Sequence, residues 1–500
     1  MQGQENTLKV YNSLSRSKET FNPIHEGHVG MYVCGPTVYS DVHLGNCRTF
    51  TSFDLIYRYL THLGYKVRYV RNITDVGHLE NDAEMTGEDK ISKKARLEQL
   101  EPMEIVQLYT KGFHHVMTQL NNHPPSIEPS ATGHIIEQIE MVQQILDNGY
   151  AYERNGSVYF KTVQFAEKHE EYGQISGKKL EDLRVETRDL KAQGEKDHPA
   201  DFAIWMKAND SHIMRWNSPW GVGFPGWHLE CSAMSTKYLG AHFDIHGGGM
   251  DLQFPHHENE VAQNIGCCGT APANYWMHTN MLTFEGTKMS KSLGNSILPD
   301  ELFTGNHSLI SQAYSPMTLR FFFLRTHYRS VCDFSDKGLK DAEKGFQKLM
   351  AANKSLQELE YIGKEKVNEE DAVINGLLEE MFAHMNDDFN TPRVLATMFE
   401  LVAKINAFKN RQLKINNISI ETMKRLQTTF DTFIKDVFGL VAEEANNDEI
   451  LDNVLQVLIE MRKTARANKD WAMSDKIRDE LMAAGIQLKD GKDGTSWSLV

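Results

Sequence analysis

The sequence predicts an α/β fold with a parallel sheet, followed by a mainly helical region and a small C-terminal domain. Residues 31–33 are a short apolar run that predicts a buried strand, and residues 34–36 stop it. Apolar residues then recur at helical spacing over 50–63, and Gly64 is a plausible helix stop. The β-branched run 65–70 follows. Strand, helix and strand in this order form a βαβ unit, which is typical of a parallel sheet.

The downstream patterns extend this fold in chain order. Asn155 and Gly156, between two alternating aromatic runs, predict a hairpin turn. Three glycines at 247–249 follow a short predicted strand and predict a loop with unusual backbone freedom. From residue 316 onward the pattern is mostly helical. The other predictions are helices at 102–120 and 135–146, strands at 200–207, 243–246 and 275–282, a charged surface loop at 180–199, a polar connection at 446–453, and one or two helices in 454–500.

The composition restricts the class of protein. The chain has 500 residues, 40% hydrophobic and 24% charged, enough for a large domain with one or two smaller ones. Its 53 Lys and Arg against 68 Asp and Glu give a net charge of −15, which argues against a non-specific coat for nucleic acid but leaves a specific RNA partner open. We expect no membrane partner, because no apolar run is long enough to cross a bilayer. With six cysteines and no secretory core, we expect a cytoplasmic protein with reduced thiols.

Four separated side chains form a candidate metal site. Cys34 ends the first predicted strand, and Cys231 lies in a Gly-Trp-His-Leu-Glu-Cys stretch. His256 and Glu260 are four residues apart, which places them on one face of a helix. Two thiolates and such a pair suit tetrahedral zinc. Spacing alone favours the plainer interpretation, buried cysteines and a helix-face pair, because the residues are far apart and no Cys-x-x-Cys is present. His257 competes with His256 as a ligand, since it also lies near Glu260 in the helix.

Two motifs predict phosphate chemistry. His43-Leu44-Gly45-Asn46 opens a predicted helix and offers an anion both side-chain donors and free backbone N–H groups. Residues 288–292, Lys-Met-Ser-Lys-Ser, form a loop with two cations that could neutralise charge on a pyrophosphate leaving group. Each motif alone is weak. In this order, and each after a predicted strand, they indicate nucleotide chemistry without the Walker P-loop of ordinary kinases and ATPases.

These paired motifs resemble the two signatures of class I aminoacyl-tRNA synthetases. The stretches MYVCGPTVY, GWHLECSAM, HGGGMDL and FPHHENEVAQ resemble the cysteinyl-tRNA synthetase family, and the likeness extends to DWAMSDKIRDEL near the C-terminus. The resemblance implies a Rossmann-like catalytic domain, an anticodon-binding helical region and a small C-terminal anticodon-recognition domain. We expect these domains at 1–315, with an insertion at about 102–225, at 316–445 and at 446–500.

The resemblance also assigns the amino-acid site. The positions that match the family's zinc ligands are Cys34, Cys231, His256 and Glu260. One zinc ion per chain would bind the thiolate of the substrate cysteine and so separate cysteine from serine, which an apolar pocket separates only weakly. Trp227 and His246 match positions that line the amino-acid pocket, and Thr74 matches a residue near the substrate. Without the resemblance, core packing would be the preferred interpretation of these three.

The resemblance implies ATP chemistry with Mg²⁺. His43 and Asn46 would hydrogen-bond ATP phosphates, and Asp251 would meet the adenosine ribose. Lys288 and Lys291 are the cations of the second signature, with Lys291 the stronger candidate. The implied reaction is in-line attack of the cysteine carboxylate on the α-phosphate, followed by transfer to the 3′-terminal ribose of tRNA(Cys). Such a site mainly positions groups and stabilises charge, so no enzyme nucleophile is needed.

The C-terminal segment would read the anticodon. The matching positions are Arg466, Trp471, Asp475 and Asp490. An aromatic plate and polar groups suit unpaired bases, although Trp471 could instead cap a small core. Two departures from the family pattern are Asn46, where the signature has a second histidine, and a longer loop over 76–91. The family implies a monomer.

Two other functions remain possible at this stage. A ligase that adenylates cysteine and couples it to an amino sugar shares the zinc pocket and both signatures, but has no use for the long region after Arg329. A non-catalytic RNA-binding relative would be expected to lose a signature or a zinc ligand, and all are present here. Deleting 446–500 separates these functions, because a synthetase should then lose tRNA charging and keep adenylate formation.

Overall fold

The structure is a computed structural model that describes residues 7–77, 79–81, 86–170, 172–178, 196–210, 212–290, 293–359, 369–443, 447–491 and 494–499. The chain divides into two compact units, one up to Val441 and one from Ala442. The strands are β1 Lys9–Asn12, β2 Ser17–Thr20, β3 His28–Val33, β4 Lys66–Arg71, β5 Leu79–Asn81, β6 Thr86–Asp89, β7 Ala151–Arg154, β8 Ser157–Phe160, β9 Phe202–Lys207, β10 Trp216–Ser218, β11 Gly221–Pro225, β12 Phe243–Gly249, β13 Ala273–Thr279, β14 Leu282–Phe284, β15 Thr287–Lys288, β16 Cys332–Phe334, β17 Ile486–Gly491 and β18 Gly494–Leu499.

The longer helices alternate with these strands in the first unit and dominate after β16. They are α1 Leu44–His62, α2 Lys90–Glu98, α3 Pro102–Gln119, α4 Ile135–Asp147, α5 Thr162–Ala166, α6 Trp227–Leu239, α7 Glu258–Cys268, α8 Pro299–Thr304, α9 Pro316–Leu324, α10 Asp336–Glu358, α11 Glu369–Asn386, α12 Thr391–Lys409, α13 Ile420–Thr432, α14 Asn447–Ala467 and α15 Trp471–Ala483. Among the described residues, each helix is too short or too polar to cross a membrane.

A four-stranded parallel sheet, in the order β13-β12-β3-β4, forms the centre of the first unit. The predicted βαβ unit is confirmed as β3, α1 and β4. Gly64, with a φ of +93°, follows the last turn of α1 and is the predicted helix stop. Because the strands are parallel, their carboxyl ends meet at one edge, where ligands bind in open α/β sheets.

The glycines of β12 correct one prediction. The strand continues through Gly249 and does not end before the glycines, so the predicted loop is wrong. A Cβ at Gly247 would lie 2.2 Å from the ring of Phe53, and one at Gly248 would lie 3.1 Å from His257. These glycines are therefore required by close packing, and the sequence pattern did not distinguish that from backbone freedom.

The predicted hairpin is confirmed as β7 and β8, with Asn155 and Gly156 at positive φ in the turn. It belongs to a five-stranded antiparallel sheet in the order β10-β11-β9-β8-β7. The predicted strand at 275–282 is two strands, β13 and β14, separated at Asn280 and Met281. Of the predicted surface loop at 180–199, residues 180–195 lie outside the described residues.

In the second unit α14 packs against α15, and α15 packs against β17 of the β17–β18 hairpin. Its small core contains Leu455, Ile477, Leu481 and Ile486. The predicted polar connection at 446–453 is wrong from Asn447 onward, because α14 begins there. Acidic residues are favourable in the first turn of a helix, so polar composition hid a helix start.

Candidate metal centre and active site

Four side chains from separate elements meet beside the central sheet. Cys34 follows β3 directly, Cys231 lies on α6 and Glu260 on α7. His256 belongs to the short helical turn Gln253–His257 that leads into α7. Cys34 is 6% exposed and the other three are each 1% exposed. Their ligand atoms lie within 4.8 Å of one another, so the structure brings together all four predicted metal ligands.

The distances within this group fit a tetrahedral metal. The two sulfurs, Sγ of Cys34 and of Cys231, are 3.8 Å apart. Nε2 of His256 lies 3.2 Å from Oε1 of Glu260. Zinc bonds of about 2.3 Å to sulfur and about 2.0–2.1 Å to nitrogen and oxygen, at tetrahedral angles, would separate two sulfurs by about 3.8 Å and a nitrogen from an oxygen by about 3.4 Å. These two separations therefore match those expected around a bound zinc ion.

The hydrogen bonds of His256 also fit a metal ligand. Its Nδ1 lies 2.8 Å from Nδ1 of His228, while its buried Nε2, apart from the ion-pair contact with Glu260, makes no hydrogen bond among the described residues. A buried polar atom without a partner is costly. A metal bond from Nε2 would remove that cost, and the contact on the other ring nitrogen would fix the ring orientation.

A second possible ligand group shares two members with the first. It combines Cys34 and Glu260 with His246 and His257. Nε2 of His257 lies 3.4 Å from Sγ of Cys34 and 4.0 Å from the Glu260 carboxylate. Its Nδ1 lies 2.8 Å from His278, and His246 lies 2.8 Å from Oε2 of Glu260. His257, the expected competitor, thus lies beside the cluster, but the first group provides two cysteine sulfurs and the second group one.

The charges within the cluster favour the metal-binding form of Glu260 and Cys231. Burial would lower the pKa of His256, but the charge of Cys231 outweighs it and raises the pKa to about 10. Burial would raise the pKa of the Glu260 carboxyl, but His246 and then His256 outweigh it and lower the pKa to about 2. Burial would likewise raise the pKa of the Cys231 thiol, but hydrogen bonding to Cys34 and the charge of His256 lower it to about 6. Burial and Cys231 raise the pKa of Cys34 well above its ordinary value. One thiolate and one carboxylate are thus favoured before any metal binds.

The three residues predicted to line the amino-acid pocket lie close to the same cluster. The Trp227 ring lies 4.5 Å from the His256 ring, measured between centroids. His246 is buried and reaches Glu260 as described above. Thr74 is buried and donates a hydrogen bond to Glu230, which precedes Cys231 on α6. Trp227 and His246 therefore contact a member of the metal group directly, and Thr74 contacts Glu230, the neighbour of one member.

The first signature forms a reciprocal cap at the start of α1. The backbone N–H of Asn46 donates to Nδ1 of His43 at 3.2 Å, and the backbone N–H of His43 donates to Oδ1 of Asn46 at 3.4 Å. This capping box satisfies donors that a helix start leaves free. Since Cys34 and α1 both follow β3, the signature and the metal group belong to the same sheet edge.

Three other residues are predicted to meet the nucleotide, and the two that the structure describes are exposed. Asp251 is exposed, in the short turn Met250–Leu252 directly after β12. Lys288 is exposed at the end of β15, and its carbonyl accepts a hydrogen bond from Asn295 at 3.2 Å. Lys291 lies outside the described residues. Of the two lysines of the second signature, the structure therefore describes only the first.

Three of the four predicted anticodon residues have described side chains. Arg466 lies near the end of α14, and Trp471 and Asp475 lie on α15. Trp471 is 59% exposed and lies outside the small core of this unit. Asp475 pairs with Arg478 at 3.1 Å. The side chain of Asp490 lies outside the described residues.

Sequence reasoning missed three residues of the site. Asn72 accepts a hydrogen bond from the backbone N–H of Gly35 at 2.8 Å and donates to Glu230 at 3.3 Å, beside the metal group. Arg48 is buried two residues after the first signature. The position of Glu230 beside Cys231 was a signal, but a carboxylate in a helix is usually a surface residue.

The comparisons with known proteins agree with this arrangement. Residues 20–344 match the model for the class I (C) tRNA synthetase catalytic domain, residues 382–443 the DALR domain, and residues 451–497 the cysteinyl-tRNA ligase anticodon binding domain. A solved Mycobacterium tuberculosis methionyl-tRNA synthetase bound by methionyl-adenylate superposes with a TM-score of 0.58 at 15% identity, over 82% of this chain and 92% of that chain. The fold and the matched domains define a class I aminoacyl-tRNA synthetase.

The sequence relatives specify the family. Cysteine–tRNA ligase of Bacteroides fragilis is 55% identical over 99% of both chains. That of Porphyromonas gingivalis is 53% identical over 99% of this chain and 100% of its own length. The chain belongs to the cysteine–tRNA ligase family, so the predicted enzyme class and fold class are confirmed.

Proposed function

We propose that this enzyme activates cysteine with ATP to cysteinyl-adenylate and transfers the cysteinyl group to tRNA(Cys), with one zinc ion selecting the substrate thiol. The observation that carries the proposal is the buried group Cys34, Cys231, His256 and Glu260, whose separations fit tetrahedral zinc. The full-length similarity to cysteine–tRNA ligases supports the reaction as a whole.

The metal group supports selection by chemistry. When bound there, zinc would accept a thiolate readily and a hydroxyl poorly. Serine differs from cysteine by one atom, and an apolar pocket gives only modest discrimination of that size. Trp227, which lies against His256, and Thr74 would limit the room beside the metal.

The sheet edge supports adenylate formation. The start of α1 presents the backbone N–H groups of a helix N-terminus, which bind phosphate. His43 and Asn46 hold that start in place, while Lys288 and Lys291 would neutralise the charge of departing pyrophosphate. Asp251, exposed beyond β12, would meet the ribose of ATP. Mg²⁺ would accompany ATP as its counter-ion.

The second unit supports recognition of the tRNA anticodon. Exposed Trp471 offers a face on which an unpaired base can stack, and Arg466 and Asp475 offer polar groups near it on the same two helices. Asp490 is assigned by the resemblance alone. The domain boundaries at 315/316 and 445/446, the monomeric state and the cytoplasmic location stay predictions.

The deciding experiment is charging of total tRNA with cysteine, with serine as the control, by zinc-replete and zinc-stripped enzyme. We expect cysteine charging that is lost on verified zinc removal and restored on re-addition, with no serine charging. Unchanged charging after removal would overturn the metal's role. Adenylate formation without charging would overturn tRNA as the acceptor and favour the amino-sugar ligase.

Deletion of 446–500 tests the second unit separately. Charging should be lost while cysteine-dependent ATP–pyrophosphate exchange remains, because the catalytic residues all precede the deletion. Full retention of charging would remove the anticodon assignment.

A further inference from the structure

The guanidinium of Arg48 lies at the junction of two parts of the active site. Arg48 is on α1, only 1% exposed, two residues beyond Asn46. It donates hydrogen bonds to five backbone carbonyl oxygens. These belong to Asn280 at 3.0 Å, Met281 at 2.6 Å, His327 at 3.2 Å, Tyr328 at 3.4 Å and Ser330.

These carbonyls lie at the entry to the small sheet β15-β14-β16. Asn280 and Met281 directly precede β14, and the other three precede β16. Strand β14 pairs with both β15 and β16, and β15 ends at Lys288. Arg48 therefore holds both chain segments that enter this sheet. The sheet includes the β14–β15 pair that ends at Lys288, called here the Lys288 hairpin.

Two further contacts strengthen the same junction. The hydroxyl of Thr279 donates to the hydroxyl of Thr49, the next residue of α1, at 3.0 Å. The backbone N–H of Asn280 donates to the carbonyl of Tyr328 at 2.8 Å, which joins the two entering segments to each other. The start of α1 and the root of the hairpin thus form one hydrogen-bonded structure.

A second buried arginine in this unit shows what is unusual about Arg48. Arg320 is also fully buried, but it forms an ion pair with Asp54 at 2.5 Å and also donates to the carbonyls of Leu120 and Phe438. The hydrogen-bond acceptors found for Arg48 are backbone carbonyls throughout. A buried charge without a carboxylate is a poor source of stability, whereas a planar fork with five donors fixes geometry well.

We propose that Arg48 is a positioning residue that holds the phosphate-binding start of α1 and the Lys288 hairpin in the relative placement that adenylate formation requires. This inference rests on the proposed function, because it assigns both ends to ATP. Interactions made only in the transition state raise kcat without tightening substrate binding. Loss of Arg48 should therefore lower the rate of activation more than the affinity for either substrate.

The test compares Arg48→Lys with Arg320→Lys in the full-length enzyme, by cysteine-dependent ATP–pyrophosphate exchange and thermal melting. We expect Arg48→Lys to lower kcat about 10- to 100-fold, since a displacement of about 1 Å can cost that much. The KM values for ATP and cysteine should change less than about threefold. Arg320→Lys should lower the melting temperature and keep kcat within about threefold of wild type.

Chemical rescue gives a second readout. Millimolar guanidinium should restore exchange by Arg48→Ala at least about fivefold and should not affect Arg320→Ala. If Arg48→Ala does not fold, Thr49→Val weakens the same junction without removing a charge and should lower kcat about two- to fivefold. Equal kcat losses in Arg48→Lys and Arg320→Lys, or a loss confined to KM, would overturn the inference. Absence of exchange by the wild type would instead overturn the proposed function.

Discussion

The proposed metal centre and the proposed anticodon site differ in how deeply their residues are buried. Cys231 and Glu260 are each 1% exposed and are surrounded by side chains that fix their positions. Trp471 is 59% exposed on the surface of a small two-helix unit. Folding must place a buried polar group correctly, because an unpaired one is costly. It places no such demand on an exposed ring. Close packing therefore fixes the geometry of the metal centre, whereas the exposed ring would gain close contacts only when a partner binds.

The largest expected effect is at the buried metal centre. Cys231→Ser should remove the metal and lower cysteine activation more than about 1,000-fold, because even the outer partners of metal ligands are worth about 10- to 100-fold. Zinc content per chain and ATP–pyrophosphate exchange measure the two effects. Cys332→Ser, a fully buried cysteine outside the cluster, is the matched control and should keep both. Normal zinc content in Cys231→Ser would remove Cys231 from the ligand set.

A second buried site should respond to pH without any metal. Burial would raise the pKa of Asp54, but Arg320 and then His123 outweigh it and hold the pKa well below its ordinary value of 3.8. The stability that Asp54 contributes is therefore fully present above about pH 4 and is lost as the pH falls through the folded pKa. Asp54→Asn should lower the free energy of unfolding by about 3 kcal/mol at pH 7.

Denaturant unfolding at several pH values checks this expectation. The difference between wild type and Asp54→Asn should shrink below about pH 4, because Asp54 of the unfolded chain then takes up a proton while the folded carboxylate stays ionised. Asp251→Asn, at an exposed carboxylate, is the control and should change stability little. A difference that is constant down to pH 2 would contradict the assignment to the carboxylate charge.

At the proposed anticodon site we expect a smaller effect, which is confined to reactions that involve tRNA. Trp471→Ala should lower kcat/KM for tRNA about 10- to 30-fold, since stacking of one base on an aromatic ring is worth about 1–3 kcal/mol. Exchange measured without tRNA should not change. Met473→Ala, at a position 46% exposed on the same helix, should leave charging unchanged. Equal effects of the two substitutions would indicate that α15 matters only as a whole.

The smallest effect is expected at the cap of α1, where Asn46 contributes to stability and is also expected to lie near ATP. Asn46→Ala removes one half of the reciprocal cap and should destabilise the first unit by about 1 kcal/mol. Asn46→Asp retains an acceptor for the N–H of His43 and should recover that stability, while its negative charge should weaken ATP binding. Thermal melting and the KM for ATP separate the two effects. Identical melting of wild type and Asn46→Ala would show that the cap contributes nothing.

Sequence alone predicted the parts of the fold that local rules determine. The βαβ unit follows from apolar spacing, and the Asn155–Gly156 turn from residues that accept positive φ. The glycines of β12 and the start of α14 were misjudged. The first depends on Phe53, a residue distant in sequence, and the second begins with polar and acidic residues, which suit a first helical turn as well as a loop.

In the candidate site, too, features that depend on residues distant in sequence could not be predicted from local patterns. Cys34, Cys231, His256 and Glu260 were named from the family resemblance, and spacing alone did not favour them as ligands. Their meeting point depends on four elements from different parts of the chain. No local pattern indicated that Arg48 would bind carbonyls more than 200 positions away in the sequence, or that Glu230 would lie buried beside Thr74.

The three glycines at the end of β12 limit how this end of the sheet can change. The places where their side chains would stand are already occupied, at Gly247 by Phe53, at Gly248 by Leu252 and at Gly249 by Asp251. Since glycine has no side chain to shorten, every substitution at these positions adds atoms. The strand end can be crowded by mutation but never given more room, so a change of shape here has to begin from the residues packed against it.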